Sequence, residues 1–185
     1  MNLDDCKDDL VKVVVTEEQI NQRLAEMGKQ ISDDYRGDDS FLLVGVLRGA
    51  IMVMADLSRH ISIPLHMDWM AVSSYGASTK TSGVVRILKD LDTELEGRSV
   101  LIVEDIIDSG LTLDWLLKNL ESRGAKSVKI ATLLRKPEAA KVDVDVEYVG
   151  FDIPNEFVVG YGLDYAEDYR HLPFVGVLAP HVYGG

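Results

Sequence analysis

Apolar runs and helical periodicities alternate along this chain, and their order predicts the fold. Short runs rich in Val, Ile and Leu are typical of strands buried in a sheet, and they lie at 41–47, 65–72, 100–103, 128–134 and 144–149. Apolar residues that recur every three or four positions predict helices over 20–31, 51–60 and 113–120. This β-α-β succession predicts an α/β fold, in which helices flank a parallel twisted sheet.

Two segments depart from this pattern. Residues 73–83, SSYGASTKTSG, are small and polar without periodicity, which predicts a mobile loop. Residues 84–88 would return from that loop as the antiparallel arm of a strand pair. Ahead of the first helix, Thr16 and Gln19 have the spacing of a capping box.

The domain organisation follows from the absence of an internal repeat or linker. We expect one domain over residues 1–185, with a core of about 38–150 and 172–180 that includes a last short strand at 174–178. The N-terminal segment and residues of about 151–171 would form a small second lobe, which we call the hood.

The composition of the chain argues against several classes of partner. The 185 residues carry a net charge of −12 at pH 7, which argues against a nucleic-acid partner because such a protein needs a basic face. No apolar run approaches the length of a membrane span, so no membrane partner is expected. The single cysteine, Cys6, excludes an intramolecular disulfide and favours a cytoplasmic location.

The stretch from Val100 to Thr112, VLIVEDIIDSGLT, carries the candidate chemistry. Glu104 and Asp105 follow the apolar strand at its carboxyl end, where open α/β sheets bind their ligands. Asp108 and a Ser-Gly turn come next, and a helix then begins, whose free amides suit a phosphate. A protein with a net negative charge that binds a phosphate must offset the phosphate's charge locally, with helix dipoles and cations. The paired carboxylates indicate that Mg²⁺ is one of these cations.

Three other interpretations of this stretch compete with a phosphate site. Acidic residues after a strand are often only a solvated loop, although the fixed spacing of Asp108, Ser109 and Thr112 lowers the weight of that interpretation. A phospho-acceptor signalling domain also has paired acids after its first strand, but here about a hundred residues precede them. A dinucleotide-binding fold would need a G-x-G-x-x-G turn, which the sequence lacks.

VLIVEDIIDSGLT resembles the phosphoribosyl pyrophosphate signature of the type I phosphoribosyltransferases. Further stretches that resemble this family lie, in its order, at LRG (47–49), SYG (74–76), LRKP (134–137), GFDIP (150–154) and FVVGYGLDY (157–165). The last two, with Tyr169 and Arg170 after them, are similar to the hypoxanthine-guanine branch. One departure is Leu111, where some relatives carry Lys.

The resemblance implies a purine-salvage enzyme that transfers a phosphoribosyl group from phosphoribosyl pyrophosphate to a 6-oxopurine base with Mg²⁺. Asp108 would be the general base that takes the purine proton. Residues implied to bind phosphoribosyl pyrophosphate are Arg48, Gly49, Glu104, Asp105, Asp108, Ser109, Gly110, Leu111, Thr112 and Arg170. Residues implied to bind the purine are Lys136, Phe157, Val158 and Asp164. Carboxylates implied to hold the metal are Glu104, Asp105 and Asp164.

The family also implies three features beyond these contacts. Ser74 and Tyr75 would begin a flexible catalytic loop, and the Leu47–Arg48 peptide would be cis. The chain would assemble as a homodimer or homotetramer.

A non-catalytic regulator that senses phosphoribosyl pyrophosphate with the same loop stands as the alternative function, although nothing in the sequence supplies the basic surface it would need.

Overall fold

A computed structural model describes residues 5–6, 8–74 and 85–184. The strands are β1 (Leu10–Val15), β2 (Leu42–Leu47), β3 (His66–Ser74), β4 (Val85–Lys89), β5 (Ser99–Ile107), β6 (Ser127–Arg135), β7 (Tyr148–Asp152), β8 (Val158–Val159) and β9 (Val175–Leu178). The helices are α1 (Glu17–Asp34), α2 (Ile51–His60), α3 (Leu111–Glu121) and α4 (Pro180–Tyr183), and a 3₁₀ turn spans Pro137–Ala139. The predicted capping box is present, since Thr16 and Gln19 exchange side-chain and backbone hydrogen bonds.

A six-stranded sheet of order β4-β3-β2-β5-β6-β7 forms the centre of the fold. Its neighbouring strands run parallel except β4, which pairs antiparallel with β3. The predicted α/β class is thus confirmed, as is the antiparallel arm after the polar loop. The central position of β5 puts its carboxyl end between the loops that follow β2 and β6, where several loops can contribute to one site.

Alternation along the central strands divides the core into two layers, because successive side chains point to opposite faces of a sheet. Leu43 and Leu101 face α1 and α2, whose apolar stripe packs on them. Val44 and Ile102 face α3 on the other side. These strands are buried on both faces, which explains why they read as continuous apolar runs.

A separate three-stranded antiparallel sheet of order β1-β9-β8 forms the hood. The structure corrects one boundary here: β9 pairs with β1 and β8, so residues 175–178 lie in the hood and not in the core segment of 172–180. The apolar pattern of β9 could not distinguish the sheets, because both faces of the hood sheet are covered. Val175 and Val177 pack on the main core, whereas Leu178 joins a third cluster with Leu10 and Phe174.

The last strand of the main sheet also differs from its expected position. β7 begins at Tyr148, whereas the sequence predicted a strand over 144–149, and residues 151–152 therefore belong to the sheet and not to the hood. Val144 and Val146 alternate with acidic residues as a strand would, but they pack on the α3 side of the core without a ladder. Within the described ranges, no helix has both the length and the apolar character that crossing a membrane demands.

Candidate active site

Two buried carboxylates stand at the carboxyl end of β5. Glu104 and Asp105 are both buried, and as neighbours in a strand they point to opposite sides. Burial raises the pKa of Glu104 well above its usual range, and the adjacent Asp105 charge adds to the rise. Burial also raises the pKa of Asp105 to about 6, although its Oδ1 accepts a hydrogen bond of 2.8 Å from the Ile106 N–H.

The loop after β2 packs against Asp105. The Leu47–Arg48 peptide is cis, as the family resemblance implied. Gly49 then passes so close to the Asp105 carboxylate that a Cβ there would overlap it. Gly162, with φ of +101°, lies equally close to the Gly49 carbonyl. The absence of side chains at these two glycines therefore lets the β2 loop and the hood loop meet beside Asp105.

The turn between β5 and α3 forms a cradle of the kind that suits a phosphate. Gly110, the N-cap of α3, adopts φ of +80° and has no side chain to cap the helix, and the Ser109 hydroxyl accepts only a long hydrogen bond of 3.5 Å from the Leu111 N–H. A cavity of about 130 Å³ lies here, lined by Glu104, Ile106, Ile107, Asp108, Ser109, Gly110, Thr112 and Leu113. Lys141 and Val142 donate backbone hydrogen bonds to the Ser109 carbonyl, which fixes the turn from outside. The cavity thus lies at the N-terminus of α3 and is bordered by the hydroxyl-bearing Ser109 and Thr112, a combination that suits a phosphate.

Asp108 lies between this cavity and a second one. The second cavity, of about 180 Å³, is lined by both Asp108 and Lys136 together with Ala140 and residues 142–144 and 146. The Lys136 Nζ is 3.9 Å from the Asp108 carboxylate, and Lys136 is buried, with its side chain 9% exposed, whereas that of Asp108 is 58% exposed. The backbone of Lys136 is held by a hydrogen bond of 2.9 Å from its N–H to the Ile107 carbonyl.

A network of ion pairs joins the hood loop to the loop after β2. The Arg170 guanidinium lies 2.6 Å from the Asp164 carboxylate and donates a hydrogen bond of 2.7 Å to the Gly162 carbonyl. Glu167 contacts both Arg170, at 3.6 Å, and Arg48, at 2.6 Å. The charges of Arg170 and Asp164 act on the Asp105 carboxylate with opposite effects on its pKa, so this network borders the β5 site.

The ring of Phe157 belongs to an aromatic cluster at the edge of the hood. It stacks on Tyr183 at a centroid distance of 5.0 Å and meets Tyr165 edge-on at 5.9 Å. Phe157 remains 41% exposed, so part of its ring is open to a ligand. Val158 follows it as the first residue of β8, an edge strand of the hood sheet.

The structure groups most of the predicted site residues around the end of β5, in two sets. Glu104 lines the cradle with Asp108, Ser109, Gly110 and Thr112, whereas Asp105 lies across the strand beside Gly49 and the Asp164–Arg170 pair. Leu111 begins α3 and is exposed. Ser74 ends β3, while Tyr75 and the rest of the predicted mobile loop, up to Gly83, lie outside the described residues.

Sequence reasoning missed Glu167, Tyr165 and Tyr183. The resemblance covered the stretch that contains Glu167 and Tyr165, but an exposed glutamate carries no signal of a partner that is 119 positions away. Tyr183 lies near the chain's end, where nothing in the sequence indicated contact with Phe157.

The donor set fits Mg²⁺. Asp105 and Asp164 share one side of β5 with Arg170, and the buried Glu104 lies on the other. No cluster of three or more metal-ligating side chains occurs among residues 5–6, 8–74 and 85–184. Mg²⁺ usually takes one or two protein carboxylates and completes its shell with water and substrate phosphates, so the site does not need such a cluster.

Comparison with known proteins identifies the family. The family model described as phosphoribosyl transferase domain matches residues 14–166. The chain is 57% identical over 181 residues to the hypoxanthine-guanine phosphoribosyltransferase of Mycobacterium bovis, covering 95% of this chain and 89% of that protein.

Solved structures agree with that comparison. The crystal structure of a hypoxanthine phosphoribosyltransferase from Staphylococcus aureus has a TM-score of 0.93 and 46% identity, covering 97% of both chains. A second similar structure is the Trypanosoma cruzi hypoxanthine phosphoribosyl transferase, studied for the role of its C-terminal region in oligomeric state and activity, with a TM-score of 0.90, 42% identity and coverage of 95% of both chains. The chain therefore belongs to the phosphoribosyltransferase family, among the hypoxanthine-guanine phosphoribosyltransferases.

Proposed function

We propose that this protein transfers the 5-phosphoribosyl group of phosphoribosyl pyrophosphate to N9 of hypoxanthine or guanine. The products are IMP or GMP and pyrophosphate, and the pathway is purine salvage. The observation that carries the proposal is the position of Asp108, which lines both the phosphate cradle and the cavity that contains Lys136. One acid can thereby serve a sugar phosphate on one side and a base on the other.

The sugar phosphate is assigned to the carboxyl end of β5. Amides and hydroxyls of residues 109–112 bind the 5-phosphate at the α3 N-terminus, where the helix dipole favours negative charge. Glu104 and Asp105 orient the ribose hydroxyls. The loop at Arg48 and Gly49 binds the pyrophosphate together with Arg170, whose guanidinium matches the spacing of two phosphate oxygens.

The base is assigned to Lys136 and the hood. Lys136 donates to the purine 6-oxygen, Phe157 stacks on the ring, and backbone groups of Val158 and Asp164 contact the base edge. Asp108 accepts the N7 proton as N9 attacks C1 of the ribose and pyrophosphate leaves. The Lys136 Nζ and the Asp108 carboxylate are 3.9 Å apart, so one purine can contact both groups from the cavity that they share.

Mg²⁺ belongs to this proposal as the partner of Glu104, Asp105 and Asp164. When bound, it neutralises charge on the departing pyrophosphate. Ser74 and Tyr75 also belong to the proposed site, as the residues that begin the family's catalytic loop.

Assembly and compartment are also proposed. We expect a homodimer or homotetramer, supported by the relative from Trypanosoma cruzi whose oligomeric state has been studied, and light scattering on the purified protein measures this directly. The single cysteine supports a cytoplasmic location, because reducing compartments do not maintain disulfides.

The experiment that tests the function is a nucleotide-formation assay. Protein, phosphoribosyl pyrophosphate and MgCl₂ are incubated with hypoxanthine, guanine, xanthine or adenine in turn, and nucleotide is followed by chromatography. IMP and GMP should form, and excess EDTA should abolish their formation. The combined substitutions Glu104→Gln and Asp105→Asn should raise the KM for phosphoribosyl pyrophosphate. Absence of IMP and GMP under all of these conditions, or full activity in EDTA, would overturn the proposal or its metal requirement, respectively.

A further inference from the structure

Glu167 lies between Arg48 and Arg170, the two arginines to which the proposed function assigns the pyrophosphate. Its Oε1 is 2.6 Å from Arg48 on the β2 loop, and its Oε2 is 3.6 Å from Arg170 on the hood loop. The two arginines approach it from different elements, and Arg48 is 119 positions away in sequence. A single carboxylate therefore bridges both cations, as a phosphate group would.

The backbone around Glu167 holds it in this position. Ala166, Glu167 and Tyr169 have φ values of +51°, +72° and +74°, a left-handed conformation that side chains other than glycine adopt at a cost. The Glu167 N–H donates a hydrogen bond of 3.0 Å to the Asp164 carboxylate, which fixes the turn. The loop thus keeps an unfavourable conformation that directs the glutamate across the gap to Arg48.

The solvent exposure of the side chains indicates which of these ion pairs a ligand can displace. The Arg48 and Glu167 side chains are 68% and 59% exposed, whereas Arg170 and Asp164 are only 22% and 27% exposed. Exposed ion pairs contribute little to stability, because solvent screens them and ordering two long side chains costs entropy. The Glu167 contacts are therefore easily displaced, while the Arg170–Asp164 pair persists. The buried Nε of Arg170 has no hydrogen-bond partner among the described residues.

We propose that Glu167 is an internal counter-ion that occupies Arg48 and Arg170 in the free protein and is displaced by a diphosphate group. This inference rests on the proposed function for the identity of the diphosphate, which is phosphoribosyl pyrophosphate as substrate and pyrophosphate as product. Glu167 sets the affinity of the site without contacting substrate: it keeps both guanidiniums in place and competes with the ligand for them. The competition weakens binding of pyrophosphate and so favours its release as product.

Direct binding of pyrophosphate tests the proposal. Isothermal titration calorimetry with pyrophosphate and MgCl₂ compares wild-type protein, Glu167→Gln and the control Asp168→Asn. Asp168 is the exposed neighbour and its substitution removes the same charge. Glu167→Gln should bind pyrophosphate about 2- to 10-fold more tightly, the range expected from losing two exposed charge contacts. Asp168→Asn should change the affinity much less.

A double-substitution cycle and kinetics separate this role from a structural one. The gain from Glu167→Gln should shrink in an Arg48→Ala background, because the glutamate then has one fewer cation to compete for. In turnover assays, Glu167→Gln should lower the KM for phosphoribosyl pyrophosphate and strengthen product inhibition by pyrophosphate, leaving the KM for the base unchanged. Glu167→Ala, which removes the same charge, serves if the glutamine variant does not fold.

Unchanged or weaker pyrophosphate binding by a folded Glu167 variant would overturn the inference. This failure is distinguishable from failure of the proposed function, which is decided by nucleotide formation in the wild-type protein. Equal gains from Glu167→Gln and Asp168→Asn would also overturn it, since the effect would then be a general consequence of net charge.

Discussion

Gly49 lies directly against the carboxylate of Asp105, so close that the two positions leave no space for a Cβ between them. Asp105 is buried at the end of β5, and Gly49 belongs to the loop after β2. Gly162 of the hood loop contacts the Gly49 carbonyl in turn. Three segments far apart in sequence therefore meet at one point through two glycines, and the Asp105 side chain is held by this packing.

Gly49→Ala should displace the Asp105 carboxylate or the loop after β2. Because misplacement by about 1 Å can cost roughly 100-fold in rate, kcat/KM for phosphoribosyl pyrophosphate should fall by about 10- to 100-fold. Steady-state kinetics measure this loss. Gly37→Ala is the control, because a Cβ on Gly37 would have no neighbouring atom within 4 Å and the residue lies outside the site. Because Gly37 has a φ of +79°, Gly37→Ala should lose some stability but keep wild-type kinetics. If Gly49→Ala also had wild-type kinetics, the packing argument would be wrong.

Asp108→Asn should reduce kcat by about 10²–10⁴, the usual effect of removing a positioned proton acceptor. Binding of phosphoribosyl pyrophosphate should change much less, since the cradle amides at the α3 N-terminus remain. Calorimetry measures the binding of phosphoribosyl pyrophosphate, and single-turnover kinetics measure the rate of the bound complex. Asp143→Asn provides the comparison, because Asp143 lines the same 180 Å³ cavity but does not line the cradle. Loss of binding with normal turnover of the bound complex would make Asp108 a structural residue.

Tyr183→Leu should weaken binding of every purine by a similar and modest factor. Tyr183 stacks on Phe157 at 5.0 Å, and such aromatic pairs contribute about 0.5–1.5 kcal/mol. Losing the stack frees the Phe157 ring to take other rotamers, which should raise the KM for the base by about 2- to 10-fold and leave kcat unchanged. Tyr183→Phe keeps the stacked ring and should behave as wild type. A KM equal to wild type in Tyr183→Leu would show that the ring of Phe157 needs no support.

Stability at acid pH should depend on Asp38, at the opposite end of the sheet. Its carboxylate accepts hydrogen bonds from the Ser40 hydroxyl, the Ser99 hydroxyl and the Ser40 N–H, and pairs with Lys126 at 3.3 Å. These contacts, that of the Ser40 hydroxyl foremost, lower the pKa of Asp38 below its ordinary value of 3.8. A lowered pKa in the folded state stabilises the protein above the unfolded pKa, and this contribution is lost as pH falls through the folded value.

Asp38→Asn should therefore cost about 1–3 kcal/mol at pH 7, and the difference from wild type should shrink as the pH is lowered below about 4. Urea unfolding of both proteins across this range measures the difference. The exposed neighbour Asp39 supplies the control, and Asp39→Asn should show little difference at any pH. A difference between wild type and Asp38→Asn that stays constant as the pH falls to about 3 would contradict the assignment.

Much of this site was predictable because its signals are local. Asp108, Ser109 and Gly110 are adjacent in sequence, and a strand-turn-helix order determines where they lie. The cis peptide at Leu47–Arg48 and the role of residues in 157–170 came instead from resemblance to a family, since neither has a local physical signal. The long-range contacts were not predictable, because β9 has the same apolar pattern whichever sheet it joins.

The pleat of β5 separated two residues that the sequence had grouped. Glu104 and Asp105 were assigned together because they are adjacent, yet adjacency in a strand places side chains on opposite sides. Glu104 accordingly lines the phosphate cradle, and Asp105 lies beside Gly49 and near Asp164. The contact of Glu167 with Arg48 depends entirely on the tertiary fold, so no pattern in the chain could have indicated it.

The choice of purine should depend on Lys136. This ammonium has three donors and no acceptor, so it satisfies the 6-oxygen of hypoxanthine or guanine but meets the amino group of adenine donor to donor. Lys136 is buried, and the carboxylate with which it pairs, that of Asp108, is 3.9 Å away, which is beyond hydrogen-bond distance and leaves its donors for a ligand. A buried donor left without a partner discriminates strongly, by about 10⁴ or more in favourable cases.

Phe157, unlike Lys136, should not discriminate among purines, because stacking depends on a π face that every purine presents. Lys136→Ala should therefore reduce kcat/KM severely for hypoxanthine and guanine, whereas Phe157→Leu should reduce it for every purine by a similar factor. Assays of both variants and wild type with hypoxanthine, guanine and adenine give the ratios directly. The ratio of hypoxanthine to adenine should collapse in Lys136→Ala and persist in Phe157→Leu. Wild-type protein that converts adenine as readily as hypoxanthine would refute the role of Lys136, because a buried ammonium cannot accept from an amino group.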